Sequence, residues 1–271
     1  MLSLWLNITI IKNSNMVAKR WGLKIYDVKE VLRVFDNVIK YITLPENLNP
    51  KKYSIELVLK VLVVKEFFKL SLRAMENLTG AYFGIKISKS VIHFWEKKLK
   101  PYISEIVNQI LEQLWDFDYN ETFIDSTKFS NKSKSQIKIH VITRYDSINK
   151  VLYPVSISLS KSELIIPRGE GSFYGDGEYD DKKVLNKVVN FGYNPIIKRT
   201  KRGVRGYGAK KRDEVFDEEV YKKRSICEGF FGALTNRFGG RLNTFLESTI
   251  ITRIFIRVLI YSLTIMIRYE L

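Results

Sequence analysis

Hydrophobic and polar positions change their period once along the chain. From Tyr26 to about Trp115 the apolar residues recur at helical spacing and no strand alternation appears. Ser54–Leu70 sets Glu56, Lys60, Lys65 and Lys69 near one face and aliphatics around the rest, as a well-buried helix does. SLRAMENL, TGAYFGIKI and SKSVIHFWEKKLKPY follow, with Ser71 and Ser88 placed to cap helix N-termini. Two short helices around a Gly-containing turn, the second opening Ser-Lys-Ser, suggest a helix-turn-helix. Ser88, Lys89, Ser90 and His93 then stand near the start of a recognition helix. The competing reading is a plain packing helix with Ile92 and Trp95 inward.

From Glu121 the period becomes two. ETFIDST, IKIHVITRY and VLYPVSISL read as strands, the last two joined by the turn-forming DSINK. A helix is expected over Asp180–Asn190, stopped at Gly192, and then a short strand in NPIIKRT. Lys198–Arg212 reads as a basic loop, with eight Lys/Arg and no acid in fifteen residues. A long helix is expected through VYKKRSICEGFFGALTNRF, stopped by Gly239-Gly240 before an apolar C-terminal helix that is core or dimer surface. The order is strand, strand, strand, (helix), strand, helix, strand, helix, which makes a mixed α/β core behind an all-helical region. The expected organisation is a poorly defined segment 1–25, a helical DNA-binding region 26–115 and an α/β domain 116–271.

Composition narrows the chemistry. The 271 residues carry 45 Lys+Arg against 29 Asp+Glu, a formal +16, which points to a polyanionic partner. A lone cysteine, Cys227, excludes an internal disulfide or a zinc-finger set. Two histidines, His93 and His140, argue against a His-based metal site, so any metal must be held by carboxylates. The apolar stretch Ile250–Ile267 is interrupted by Arg253 and Arg257, and a spanning helix wants about twenty residues. No membrane association is expected and the protein reads as cytoplasmic. The start codon is Met1 or Met16.

Three acids have the context of a site. Asp125 lies in an apolar strand, where a carboxylate is costly unless hydrogen-bonded, paired or metal-bound. Asp176 sits between two glycines, which let backbone approach a ligand closely. Glu228 stands among apolar neighbours on the long helix. Hard oxygen ligands of this kind suit Mg²⁺ or Mn²⁺, and two ions about 4 Å apart would flank a scissile phosphate. His140 is expected to be a satisfied or exposed strand residue and Cys227 a small packing residue.

IDST, then GDGEYDD with a helix and GYNPIIKRT, then Tyr221-Lys-Lys-Arg224-Ser-Ile-Cys-Glu228, together resemble the DDE-type insertion-sequence transposases. Asp176, Tyr179 and Asp180 match the family's Asp-x-x-Tyr-Asp, and Tyr221, Arg224 and Glu228 its Tyr-Arg-Glu signature. The resemblance implies a ribonuclease H-like mixed sheet flanked by helices. It implies that metal-activated water attacks a transposon-end phosphodiester and that the freed 3′-hydroxyl attacks target DNA. Asp125, Asp176 and Glu228 would be the catalytic metal ligands for two Mg²⁺ or Mn²⁺ ions. Where the family often has a Lys seven positions beyond the Glu, this chain has Thr235, with Arg237 the nearest cation. The partner would be double-stranded DNA, gripped by a homodimer in a prokaryotic, nucleoid-associated setting.

Further DNA contacts are expected from Lys198, Arg199, Lys201, Arg202 and Arg205, with Tyr207 as a stacking surface. Arg224 and Tyr221 lie four and seven residues before Glu228, so on a regular helix they project from about its face. There they would meet DNA, unless Arg224 and Glu228 form an ordinary solvated pair. Two rivals stay open: a DNA-binding protein without chemistry, either a helix-turn-helix regulator or a decayed transposase, and a host nuclease of the same fold.

Overall fold

The computed structural model describes residues 27–45, 48, 52–115, 121–201 and 203–270. The segment 1–25 and Arg202 lie outside the described residues, as do residues 116–120 beside the expected 115/116 boundary.

The helical period of the first half yields α1 (Val28–Val38), α2 (Ile55–Phe67), α3 (Leu72–Phe83), α4 (Lys89–Lys98) and α5 (Ile103–Leu114). Ser54, Ser71 and Ser88 cap α2, α3 and α4, each hydroxyl accepting from the backbone N–H three residues on. Gly84 ends α3 in the left-handed conformation, at φ 67°, which a side chain would strain. The buried Thr79 hydroxyl closes the α3–α4 turn: it donates to Glu76 O at 2.9 Å and accepts from Ile87 N at 3.0 Å. Ile92 and Trp95 of α4 are buried while Lys89, Ser90 and Phe94 are exposed, so the helix packs on one face and presents the other.

The second half forms β1 (Glu121–Ser130), β2 (Gln136–Asp146), β3 (Val151–Ser158), β4 (Ser172–Gly175) and β5 (Asn194–Ile197). They make one sheet in the order β3-β2-β1-β4-β5. β1–β2 and β2–β3 are antiparallel, whereas β1–β4 and β4–β5 are parallel. Between and after the last strands come α6 (Lys182–Asn190), α7 (Tyr207–Val215), α8 (Glu218–Tyr221), α9 (Glu228–Phe238) and α10 (Glu247–Glu270). This mixed five-stranded sheet, flanked by helices and preceded by a helical region, is the mixed α/β core that the alternation implied and has the ribonuclease H-like form that the resemblance implied.

Two expectations of secondary structure are corrected. The long helix is a continuous helical path from Glu218 to Phe238, but its middle, Lys222–Cys227, is a 3-10 helix. The basic stretch is a loop only to Gly206, because α7 begins at Tyr207.

One apolar cluster runs from Val31 and Val34 of α1 through the β1 residues Phe123 and Phe129 to α10, and a second lies on the other sheet face around Ile124, Tyr179 and Leu185. By length and composition the stretch Glu247–Ile267 could cross a membrane, yet 83% of its apolar window is buried inside the protein. Its arginines turn inward. Arg253 grips Glu96 of α4 in a two-bond fork (3.0 and 3.2 Å), and Arg257 Nε donates to Glu66 at 2.9 Å. Lys65, expected on the polar face of α2, is fully buried and lies 2.9 Å from both Glu66 and Glu96. Burial alone would raise the Glu66 pKa, but Lys65, Arg257 and Arg253 hold it below its ordinary value. Three cations and two carboxylates thus join α2, α4 and α10.

Removing one member of this network should strand its partners in an apolar interior. Glu96→Ala is expected to cost about 3–5 kcal/mol in urea unfolding. Glu56→Ala, which breaks only the half-exposed pair with Lys60, should cost less than about 1 kcal/mol. Equal costs would refute the structural weight given to the buried charges.

Candidate active site

Strand register brings two of the expected acids together. β1 and β4 pair in parallel up to Ile124 beside Gly175. The next residues are Asp125 and Asp176, so the acids leave the paired stretch side by side on strands about 4.8 Å apart. Alternation turns the Asp125 side chain to the face of Phe123 and Phe129, the face on which Cys227 and Arg224 pack. Asp125 Oδ1 accepts from Ser126 N at 2.8 Å, and the Cys227 thiol donates to Oδ2 at 3.5 Å. Burial pushes the Asp125 pKa up and Asp176 adds to the rise, against the lowering effect of Ser126, Cys227 and Arg224. Burial beside Asp125 also raises the Cys227 pKa strongly, which keeps it a neutral donor.

Asp176 caps the short turn Gly177–Tyr179, its Oδ1 accepting from Glu178 N at 2.9 Å. Of the flanking glycines, Gly175 is required by packing, whereas Gly177 leaves room for ordinary contact only. A Cβ at Gly175 would stand 2.9 Å from Ile124 Cγ2, and one at Gly177 would meet Lys198 O and Thr200 Cγ2 at 3.4 Å. On the opposite sheet face Tyr179 is buried and its hydroxyl lies 2.9 Å from His140 Nδ1. Burial lowers the His140 pKa, so the ring is a satisfied neutral partner, as expected. Glu178 joins β1 to β2 and the segment after β3: it accepts from Ser126 at 3.2 Å, pairs closely with Lys138, and lies 3.6 Å from Lys161.

Glu228 opens α9, and its side chain is 64% exposed. The apolar neighbourhood expected for it belongs to the other side of the helix, because Cys227, Phe230, Leu234 and Phe238 recur at helical spacing and take the buried face. Arg224 stands between two of the acids: Nη2 is 3.1 Å from Glu228 Oε1 and Nη1 3.7 Å from Asp125 Oδ2. The pair expected as the ordinary alternative is therefore formed, but it is half-enclosed and includes Asp125. Tyr221 packs on Phe216 at 5.5 Å between ring centroids, with the Lys198 ammonium 5.7 Å from its ring centre. Burial raises the Tyr221 pKa, with Asp176 adding to the rise and Arg224 and Lys198 opposing it.

Among the described residues no three His, Cys, Asp or Glu side chains are gathered as a ready set of metal ligands. A guanidinium takes the counter-ion position between Asp125 and Glu228 instead. The donors nevertheless fit a hard divalent cation. They are carboxylate oxygens, one of them held half-buried at a raised pKa beside a second acid, and Glu228 is exposed enough to turn.

Of the other expected contacts, Lys198, Arg199, Lys201 and Arg205 are exposed, Lys198 lying 3.5 Å from Glu218 and Arg199 3.9 Å from Asp213. Tyr207 is exposed at the start of α7. Arg212, counted in the basic run, is buried and pairs with Asp180 and Asp213. Arg237 does not face the acids: it stacks on Phe67 and Phe238 and donates to Thr264 at 3.0 Å, inside the helical body. Ser88 spends its hydroxyl on the α4 cap, while Lys89 and Ser90 stay exposed.

Residues 116–263, more than half of the chain, match the transposase DDE domain, and the chain belongs to that family. No curated protein matches it significantly. The match covers the sheet, the three acids and most of α10, and it places the protein among DNA-processing enzymes of transposition.

The raised Asp125 pKa has a sign that can be tested. A folded-state pKa above the unfolded value means that the native state binds the extra proton, so this group's stability contribution is present at low pH and lost as pH rises through the folded pKa. Asp125→Asn, which mimics the neutral acid, should melt a few degrees above wild type at pH 7 without metal. The gap should close below the ordinary carboxylate range. A lower melting temperature at pH 7 would contradict this electrostatic account.

Proposed function

We propose that this protein cuts transposon-end phosphodiesters and joins the freed 3′ ends to target DNA, with Asp125, Asp176 and Glu228 as the catalytic ligands of Mg²⁺ or Mn²⁺. The observation that carries the reading is the β1–β4 register, which sets Asp125 beside Asp176. Bound divalent ions supply Lewis acidity, which activates water and stabilises the leaving oxygen of an in-line displacement. The protein's own groups do the rest. Cys227 and Ser126 N orient the Asp125 carboxylate. Arg224 serves as counter-ion until DNA arrives, and its fork then grips a phosphate. Tyr221, held by Phe216 and Lys198, lines the same edge and offers a hydroxyl to phosphate or a ring to a displaced base.

Lys198, Arg199, Lys201, Arg202 and Arg205 carry the duplex backbone past the acids. Lys89 and Ser90 on the outer face of α4 read the transposon end. A second reading, DNA binding without chemistry, is favoured by the Arg224 guanidinium standing between Asp125 and Glu228. Cleavage assays separate the two.

Asp125→Asn, Asp176→Asn and Glu228→Gln should each lower Mn²⁺-dependent cleavage of DNA carrying the element's ends by about 10²-fold or more, beyond the loss typical of an outer-shell partner. EDTA should do the same, and DNA affinity should be retained. Wild-type cleavage by any one variant removes that residue from the site. Wild-type protein that binds but never cuts establishes the second reading.

Changing Lys198, Arg199, Lys201 and Arg205 together to Ala should flatten the salt dependence of DNA binding by about 2–4 in logarithmic slope, near 0.9 per phosphate released. An unchanged slope would mean that the basic segment faces away from DNA.

A further inference from the structure

The carboxylate of Asp180 is one of the most enclosed polar groups in the protein, and it lies four residues beyond Asp176. Its side chain is 0% exposed and that of its partner Arg212 is 1% exposed. Asp180 Oδ2 accepts from Thr200 N at 2.7 Å and from Thr200 Oγ1 at 2.8 Å. Oδ1 pairs closely with Arg212 Nη1. Arg212 Nε and Nη2 reach on to Asp213 Oδ1 at 2.9 and 2.7 Å, and Asp213 Oδ2 lies 3.9 Å from Arg199 Nη1.

Thr200 and Arg212 stand at the two ends of the basic segment. Thr200 follows β5, and Arg212 projects from α7, which packs against α6 and β5. Between them lie two glycines in left-handed or otherwise side-chain-averse conformations, Gly203 at φ 59° and Gly206 at φ 134°. Such a segment has little of its own to hold it in one shape. A single buried carboxylate fastens both ends and is itself joined by a short chain to Asp176.

We propose that Asp180 is a positioning residue that holds the cationic segment 198–205 at a fixed place relative to the catalytic acids, with Thr200 and Arg212 as its two handles. Arg212 is on this view an internal strut, and the outward cations Lys198, Arg199, Lys201 and Arg205 are what the strut aims. The inference rests on the reading that this segment meets DNA.

Thr200→Val removes the hydroxyl bond of one handle and leaves the backbone bond of Thr200 N and the Asp180–Arg212 pair in place, so the fold should survive. Asp180→Asn weakens both handles. Each is compared with wild type for trypsin cleavage within 198–205, for the salt dependence of binding to a duplex of random sequence, and for melting temperature. For Thr200→Val the expected result is trypsin nicking at least about threefold faster, a salt slope lower by about one phosphate's worth, and a melting temperature within a few degrees of wild type. Asp180→Asn should show both effects more strongly. If nicking quickens while the wild-type slope is also indifferent to the fourfold alanine variant, the positioning stands and the DNA role of the segment fails. If Thr200→Val and Asp180→Asn lower the melting temperature but leave nicking and slope as in wild type, Asp180 is merely structural and the proposal is overturned.

Discussion

Two carboxylates at neighbouring positions of adjacent parallel strands repel each other, and much of the molecule is arranged around that constraint. The β1–β4 register leaves Asp125 and Asp176 no freedom to separate, because slipping one strand by a residue would turn its apolar side chains to the wrong face. Asp176 thus adds to the rise that burial gives the Asp125 pKa. Arg224 relieves part of it by standing close to Asp125 while pairing with Glu228, which itself starts the next helix. The 3-10 stretch Lys222–Cys227 matters here because it brings Arg224 and Cys227 to the same carboxylate.

A second concentration of charge shows the opposite solution. Lys65, Glu66, Glu96, Arg253 and Arg257 are closed off from water and matched by one another, so they tie α2, α4 and α10 into one body. Arg257 also donates to Gly239 O at the end of α9. Helix α4 and the helix that begins with Glu228 are thus fastened to the same apolar C-terminal helix. Matched charge builds the frame, and the imperfectly matched charge is left beside the interior strands β1 and β4, where Arg224 stands between two of the acids.

How much of this could be read from the residues depended on whether the deciding contact was local. Period, serine caps and glycine stops are local, and they located the helices of the first half and the strands of the second. Asp125 stands out because a carboxylate in an apolar strand is costly, Asp176 for its flanking glycines, and all three acids for the motifs they share with a known family. Lys65 reads as a polar-face residue because its partner Glu96, and the Arg253 that shares that carboxylate, are far away in sequence. Arg212 looked like one more surface cation for the same reason, with Asp180 thirty-two residues before it. Glu228 was given apolar surroundings that belong to the far side of its helix. The packing demand on Gly175 is not legible locally, because the side chain that forbids a Cβ there is Ile124, across the strand pair. Register, burial of distant partners and the tightening of one helix into 3-10 geometry are tertiary facts, and no local pattern announces them.

The most direct measurement is the anomalous scattering of Mn²⁺ in a crystal of the full chain bound to a transposon end. Manganese density is expected between Asp125 and Asp176, with Glu228 turned toward it and the Arg224 guanidinium moved off the carboxylates onto a DNA phosphate. Manganese found elsewhere, or none between these acids while Arg224 stays paired with Glu228 on bound DNA, would contradict that expectation.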